Sequence, residues 1–234
     1  MGKDKVLKPK KTKEEILEIV VVVLLGLVTL LTAWATWIGS LHGGNQATNY
    51  TKSNNIAADG NSRWNQAAQD LMSDMQLVDR INDIRIEHTY AEQNGDLEEA
   101  EKCEWKIDEI LNNSASEELV EAMAWADEQE DYASPFDMEG FVDSYFEDAA
   151  LTLAEADEIL KQGQEDNANG DAFGLVTVIY SIVLFLLGIS SSFKSEKNKQ
   201  ALVIIGIVGT VLATAYMLTL PMPTGFSLGS FFKQ

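Results

Sequence analysis

The chain has 234 residues, with 17 Lys and Arg against 37 Asp and Glu, and its formal net charge is −20 at pH 7. This charge repels nucleic-acid phosphates, so the composition argues against a nucleic-acid partner. Because Cys103 is the sole cysteine, no intrachain disulfide can stabilise the fold. The chain must depend on helix packing or on association between copies.

Three apolar stretches are each long enough to cross a bilayer, because about 20 helical residues span a hydrocarbon core of about 30 Å. They lie at residues 19–41, 173–193 and 201–220, and none has a charged residue in its interior. Backbone groups in lipid must be paired within their own segment. The sequence therefore predicts an all-α integral membrane protein with three transmembrane helices at 19–41, 172–193 and 201–220.

The lysines predict the orientation of these spans. The first span is preceded by Lys3, Lys5, Lys8, Lys10, Lys11 and Lys13, and the loop at 194–200 contains Lys194, Lys197 and Lys199. Short basic flanks stay on the cytoplasmic side. We therefore predict a multi-pass plasma-membrane protein with a cytoplasmic tail at 1–18 and a cytoplasmic loop at 194–200. Residues 42–171 and the tail at 221–234 are then extracytoplasmic.

A cleaved secretory signal is the alternative for the first span. The basic start, the apolar run and Ala33-Trp34-Ala35 resemble a signal with its small-residue cleavage site. The apolar run continues to Leu41, however, which is longer than the apolar part of a typical signal. We favour an uncleaved anchor, with Trp34 and Trp37 in an interfacial aromatic belt.

Charge separates the segment between the first two spans from the rest of the chain. Residues 42–171 contain 7 basic and 32 acidic side chains, a net charge of −25, and the remainder carries +5. A solvated, self-repelling surface is the simplest interpretation. A vestibule that concentrates cations, and adaptation to high salt, are the alternatives.

The acidic domain has helical periodicity and no alternating strand pattern. A heptad-like stripe consists of Ala47, Tyr50, Asn54, Ala57, Asn61, Trp64, Ala68, Leu71, Met75 and Val78. It then shifts by three to Ile81, Ile84, His88 and Ala91, which predicts a break in the repeat. Gly43-Gly44 predicts a bend. The polar start at 42–55 is either a flexible juncture or a helix that is solvated or packed against another copy.

Caps and turns predict the remaining helices. After a turn at Asn94-Gly95, the second helix covers 97–111 with Asp96 as its N-cap. Ser114 and Glu117 form a capping-box pattern for a third helix that ends near Tyr132. Ser134-Pro135 begins a fourth helix that ends near Gly163, and a turn at 167–171 leads into the second span. Its apolar face is predicted to contain Phe141, Tyr145, Ala149, Thr152, Ala156 and Ile159.

The sequence contains no recognisable catalytic chemistry. It has no Gly-rich phosphate loop, no Cys/His metal spacing and no nucleophile elbow. Neither His42 nor His88 has a Glu three residues before it, as a di-iron bundle requires. We therefore predict no enzyme activity, no catalytic, cofactor-binding or metal-binding residues, and no cofactor. Trp105 and Trp125 are predicted to pack between helices.

Small residues in the spans predict close helix packing. Gly206, Thr210 and Thr214 have small-xxx-small spacing, as do Gly209 with Ala213 and Thr29 with Ala33. The sequence leaves open whether their partners are the other spans or other copies. Besides the lipid bilayer, we predict a homo-oligomer, with another membrane or envelope protein as a further possible partner.

The architecture resembles an uncharacterised bacterial family of three-span membrane proteins, known only as a domain of unknown function. The residues that carry the resemblance are Asn54-Asn55-Ile56-Ala57-Ala58, Trp64-Asn65-Gln66-Ala67, Asp171-Ala172-Phe173, Leu184-Phe185-Leu186-Leu187-Gly188-Ile189 and Leu220-Pro221. The resemblance covers the order of elements over most of the chain, but not the acidic middle residue by residue. It implies a fold and no activity.

Two functions are compatible with these features. The first is a non-enzymatic membrane protein that acts as a scaffold, sensor or assembly component through its outer helices. The second is a homo-oligomeric cation channel with an acidic vestibule, in which Thr29, Thr32 and Thr36 share one face of the first span. Threonine in membrane helices also commonly bonds to its own backbone, which favours the first hypothesis.

Overall fold

The computed structural model describes residues 12–129 and 133–227, and its regular elements there are all helices. We number five α-helices in chain order: α1 (Lys13–Asn94), α2 (Leu97–Asn113), α3 (Glu117–Asp127), α4 (Phe141–Ser190) and α5 (Glu196–Thr219). A 3₁₀ helix, Pro135–Asp137, lies between α3 and α4. Three of the helices, α1, α4 and α5, are long and apolar enough to cross a membrane, which confirms the predicted all-α class with three candidate spans.

The chain divides into two compact units, which are described separately. Unit 1 contains Met1–Thr51 and Ile159–Gln234, and unit 2 contains Lys52–Glu158. These bounds describe compactness, whereas the predicted bounds at 42 and 171 concern position relative to a bilayer. Five of the six lysines before the first span, all but Lys13, lie outside the described residues.

The core of unit 1 is formed by the apolar parts of α1, α4 and α5. Its buried members include Val28, Ile38, Phe173, Tyr180 and Leu187. The buried positions of α5 follow the alternating steps of four and three that are typical of coiled-coil seams. They are Lys199, Val203, Gly206, Thr210, Ala213 and Met217. One face of each span is thus buried within the chain, and the opposite face remains apolar and exposed, as lipid contact requires.

The core of unit 2 is formed by the second half of α1 with α2, α3 and the start of α4. Its fully or nearly fully buried side chains include Ile81, Cys103, Leu119, Ala122 and Phe141. Four of the six residues that were predicted for the apolar face of α4, namely Phe141, Ala149, Ala156 and Ile159, are buried. Tyr145 and Thr152 are partly buried. All six predicted residues are thus buried or partly buried, which confirms the predicted face.

The predicted stripe on α1 is displaced by one residue in one of its two rows, whereas Tyr50, Ala57, Leu71 and Val78 of the other row are buried or partly buried. Ser53, Gly60, Ala67, Asp74 and Ile81 are buried at exact seven-residue intervals, whereas Asn54, Asn61 and Met75 are exposed. Ile81 continues this row, and the predicted shift by three is seen beside it, because Val78, Ile81 and Ile84 are all buried. The misassignment has a physical cause: the buried positions are small or polar because α4 lies close. A β-carbon at Gly60 would lie 2.8 Å from Cγ of Leu153.

Two predicted interruptions are also wrong. Gly43-Gly44 lies inside α1 and does not interrupt the helix, and the turn predicted at 167–171 lies inside α4, which continues from Phe141 to Ser190. The polar start at 42–55 is therefore helical. Its residues 42–51 belong to unit 1, where a β-carbon at Gly163 would lie 2.6 Å from the Tyr50 ring. Tertiary packing has outweighed the low helix propensity of glycine and asparagine.

The shorter helices agree with the sequence in their caps more than in their bounds. Asp96 caps α2 by accepting a hydrogen bond from the Glu99 amide, and Gly95 has a φ of 75°, so both predictions are confirmed. For α3 the N-cap is Ser116, which accepts from the Leu119 amide, and not Ser114. The helix ends at Asp127, and Tyr132 lies outside the described residues. Ser134-Pro135 begins the 3₁₀ helix instead of α4.

Candidate functional site

A buried polar cluster lies in unit 1 at the end of the first apolar stretch of α1. The His42 side chain is 2% exposed, and its Nδ1 lies 2.8 Å from Oδ1 of Asp166 on α4. Nε2 of His42 donates to the carbonyl oxygen of Pro221, at 3.1 Å. Asn49 donates to the second oxygen of Asp166 at 3.3 Å, and the ring of Phe173 stacks on the imidazole.

This arrangement determines how many hydrogens the cluster holds. A carbonyl oxygen can only accept, so Nε2 of His42 carries a hydrogen. Nδ1 faces a carboxylate oxygen, so a second hydrogen must lie between these two atoms. The pair is therefore either an imidazolium with a carboxylate or a neutral imidazole with a carboxylic acid. Both forms leave the buried pair with no net charge, which avoids the cost of an isolated buried ion.

The segment after α5 folds back onto the same end of α1. Asn45 donates to the carbonyl and hydroxyl oxygens of Thr224, at 3.2 and 3.1 Å. The ring of Phe226 makes edge contacts with both Trp34 and Trp37, at centroid distances of 6.2 and 5.7 Å. We call residues 220–227 the C-terminal strap. Phe226 of the strap thus packs against the two tryptophans that the sequence assigns to an interfacial belt.

A second polar cluster lies in unit 2 around Asp74, which is 6% exposed. Its Oδ2 accepts hydrogen bonds from Tyr145 at 2.6 Å and from Ser116 at 2.9 Å. Burial, together with the hydrogen bond to Asp74, raises the pKa of Tyr145 well above its ordinary value. The phenol is thus held as a donor. The cluster joins the N-cap of α3 to α1 and α4, and it lies beside a cavity of about 550 Å³.

Large apolar side chains are exposed on the surface of unit 2. Ile86 and Tyr90, one turn apart on α1, are 68% and 71% exposed, and Leu97 and Trp105 on α2 are 74% and 62% exposed. The prediction that Trp105 packs between helices is therefore wrong. The two on α2 have acidic neighbours, with Glu98, Glu101 and Glu104 exposed, whereas Ile86 and Tyr90 lie beside Asn82, Arg85, Thr89 and Gln93. We call these four apolar residues the exposed apolar set.

Several polar and small residues of the three candidate spans make contacts within the chain. Thr29, Thr32 and Thr36 each donate to the carbonyl four residues earlier, at 2.7 to 2.8 Å. Tyr180 of α4 bonds to Thr214 of α5 at 2.8 Å. A β-carbon at Gly206 or Gly209 would lie 2.9 Å from Leu187 or Val183, so α5 packs closely on α4. Thr29 and Ala33, by contrast, are exposed in unit 1.

Sequence reasoning missed the residues that matter most in these clusters. As site residues, His42 and His88 were considered only as metal ligands, and no group of three or more metal-ligating side chains occurs within residues 12–129 and 133–227. His88 lies 3.4 Å from Glu104 and 3.7 Å from Glu92, at a partly exposed position. The sequence does contain a signal for the His42–Asp166 pair. His42 directly follows the first apolar stretch, and Asp166 lies shortly before the second.

No protein-family model, no curated protein and no solved structure matches this chain. The resemblance to a three-span family of unknown function therefore stays a prediction.

Proposed function

We propose that this protein is a non-enzymatic integral membrane protein that acts as a scaffold, sensor or assembly component. Its binding element is the acidic helical domain between the first and second spans. The exposed apolar set of unit 2 carries this proposal. Tyrosine and tryptophan supply large contact areas and are enriched among the residues that dominate binding energy in protein interfaces.

The two units differ in how their exposed apolar side chains can be explained. Exposed leucine, isoleucine and valine on α1, α4 and α5 match the needs of helices in contact with lipid. Ile86, Tyr90, Leu97 and Trp105 lie outside the apolar stretches, and the two on α2 have exposed carboxylates beside them. A protein partner with an apolar pocket and a basic rim would bury these side chains and match the surrounding charge.

Site-specific photo-crosslinking in intact cells tests this proposal. A photoreactive phenylalanine analogue replaces Trp105, and a second variant carries it at Tyr90. We expect one adduct of defined mass from both positions. The matched control carries the analogue at Glu155, which is exposed on α4. The proposal is wrong if neither Trp105 nor Tyr90 gives an adduct, or if Glu155 gives the same adducts.

We also propose that the acidic domain is extracytoplasmic and that the lysine-rich loop at 194–200 is cytoplasmic. The support is the positive-inside distribution of the lysines. Single cysteines placed at Glu155 and Lys197, in a Cys103→Ser background, test this orientation with a membrane-impermeant maleimide. Labelling of Glu155→Cys in intact cells, and of Lys197→Cys only after permeabilisation, is the expected result. The reverse pattern would overturn the orientation.

The homo-oligomer and its extreme form, a cation channel, remain the second proposal. The three threonines of the first span point to this alternative by their spacing, but their hydroxyls already donate to their own backbone. Native mass spectrometry of the detergent-purified protein separates a ring of three or more copies from a monomer. Cation flux in liposomes then tests the pore: Thr32→Leu lowers the flux if this face lines a channel, and we expect no change for a scaffold.

A further inference from the structure

A groove lies in unit 1 at the end of the spans where α4 and α5 are joined. Its volume is about 270 Å³. One wall is apolar and contains Val21, Val22 and Leu25 of α1 with Leu187 of α4. The polar end contains Glu18, Lys199, Ser190 and Ser191. An apolar wall that ends in charged groups matches the boundary between acyl chains and headgroups.

Lys199 is unusual because its side chain is only 7% exposed. Lysines at span ends ordinarily extend their ammonium groups into water. Nζ of Lys199 instead donates to Oε1 of Glu18, at 3.2 Å. An ammonium group has three hydrogens. Within the described part of the chain no other hydrogen bond reaches Nζ, so donor capacity remains beside the groove.

Acceptor capacity remains in the same groove. The Glu18 side chain is 60% exposed, and its Oε2 receives no hydrogen bond from the described residues. The hydroxyls of Ser190 and Ser191 donate to the carbonyls of Leu187 and Gly188, which leaves their oxygen lone pairs to accept. The groove thus presents an ion pair in which both Lys199 and Glu18 have hydrogen-bonding capacity left, instead of a single sign of charge.

We propose that this groove binds a phospholipid whose headgroup contains both a phosphate and a primary ammonium, as in phosphatidylethanolamine. The phosphate accepts from Lys199, and the ammonium donates to Glu18 and to a serine hydroxyl. The first carbons of an acyl chain lie along Val22 and Leu25. The proposal depends on the spans crossing a bilayer and is independent of what the acidic domain binds.

The same chemistry predicts which lipids bind less well. A choline headgroup has the phosphate but no N–H donor for Glu18. A glycerol headgroup has the phosphate and neutral hydroxyl donors but no cation, so it offers Glu18 no opposite charge. Phosphatidylethanolamine should therefore bind more tightly than either phosphatidylcholine or phosphatidylglycerol with the same acyl chains.

Native mass spectrometry of the full chain, titrated with these three lipids in detergent, tests the proposal. We expect one phosphatidylethanolamine per copy, with at least tenfold tighter binding than phosphatidylcholine. Lys199→Gln should weaken the binding of all three lipids, because each of them presents a phosphate. Glu18→Gln should reduce the preference for phosphatidylethanolamine over both phosphatidylcholine and phosphatidylglycerol. Lys197→Gln is the matched control, because Lys197 is exposed and does not line the groove.

Three outcomes would overturn the proposal. Equal binding of all three lipids would show an unspecific annular lipid. Phosphatidylglycerol binding as tightly as phosphatidylethanolamine would exclude recognition of the ammonium. A preference that survives Glu18→Gln, or an affinity that Lys199→Gln leaves unchanged, would place the lipid elsewhere. If Lys199→Gln unfolds, Glu18→Gln keeps the test decisive, because this exposed side chain can change without loss of core packing.

Discussion

Nδ1 of His42 lies 2.8 Å from Oδ1 of Asp166, although the two residues are 124 positions apart in the sequence. The contact joins α1 to α4 beyond the end of the first apolar stretch. Through Nε2, the same imidazole reaches the C-terminal strap. One histidine therefore connects three segments of unit 1 without leaving a buried hydrogen-bonding group unmatched.

Removal of one member of this pair should be costly, because the other stays buried without its partner. We expect His42→Phe or Asp166→Leu to destabilise the protein by about 3 kcal/mol each. The double variant should lose less than the sum of the two, since it leaves neither group stranded. Unfolding of the purified protein in detergent measures all three. Asn49→Ala, which removes the longer bond to Asp166, is the milder control. Strict additivity would contradict the coupling.

The raised pKa of Tyr145 predicts that unit 2 becomes less stable at alkaline pH. The phenol ionises more easily in the unfolded chain, at its ordinary pKa of about 10, than in the fold. Its contribution to stability is therefore complete below pH 10 and is lost as the pH rises beyond that value. Tyr145→Phe should be less stable at neutral pH by about 2 kcal/mol, because Asp74 loses a charged hydrogen bond.

Unfolding measured between pH 8 and pH 11 checks this prediction. The stability difference between wild type and Tyr145→Phe should narrow as the pH increases above 10. A difference that is constant over the whole range would show that Tyr145 has the same pKa in the folded and unfolded states.

Two glycines in α1 and α4 should respond oppositely to alanine. A β-carbon added at Gly44 would have nothing within 4 Å, so Gly44→Ala should stabilise the helix by about 0.5–1 kcal/mol. Gly163→Ala places a methyl group 2.6 Å from the Tyr50 ring and should destabilise by about 1–3 kcal/mol. Thermal unfolding of both variants measures the signs. Stabilisation by Gly163→Ala would contradict the close approach of α4 to α1 in unit 1.

The buried thiol of Cys103 offers a simple test of unit 2. Its side chain is in the core with Ile81 and Leu119, so a thiol reagent should reach it only through local or global opening. We expect labelling of the native protein to be at least about 100-fold slower than labelling in denaturant. Ser62→Cys in a Cys103→Ser background, at an exposed position of α1, provides the fast control. Equal rates at Cys103 and at this control position would show that the core is not formed.

The sequence was informative where one local rule acts alone. Asp96 predicts its own cap because the side chain bonds to an amide three residues ahead. The three candidate spans can be found in the sequence because a backbone in lipid must pair its hydrogen-bonding groups within its own helix. Local rules failed at Gly43-Gly44 and at 167–171, where packing between α1 and α4 holds glycine and asparagine in helices. The seam of Ser53, Gly60 and Ala67 was missed because close approach selects small residues instead of apolar ones.

The clusters at His42 and Asp74 could not be predicted for a different reason. Both require the pairing of helices that are distant in sequence, and their hydrogen bonds arise only from that pairing. In the sequence, Asp74 and Asp166 are two among 37 acidic residues, and composition alone does not distinguish them.

The contact between His42 and the C-terminal strap also sets an order in time. A ribosome synthesises His42 179 positions before Pro221, so the acceptor for Nε2 does not exist until α5 has been made. Until then, the Nε2–H group of His42 lacks this acceptor. Synthesis of the C-terminal strap, and not synthesis of the apolar parts of α1 and α4, is therefore the step that completes the hydrogen bonding of His42.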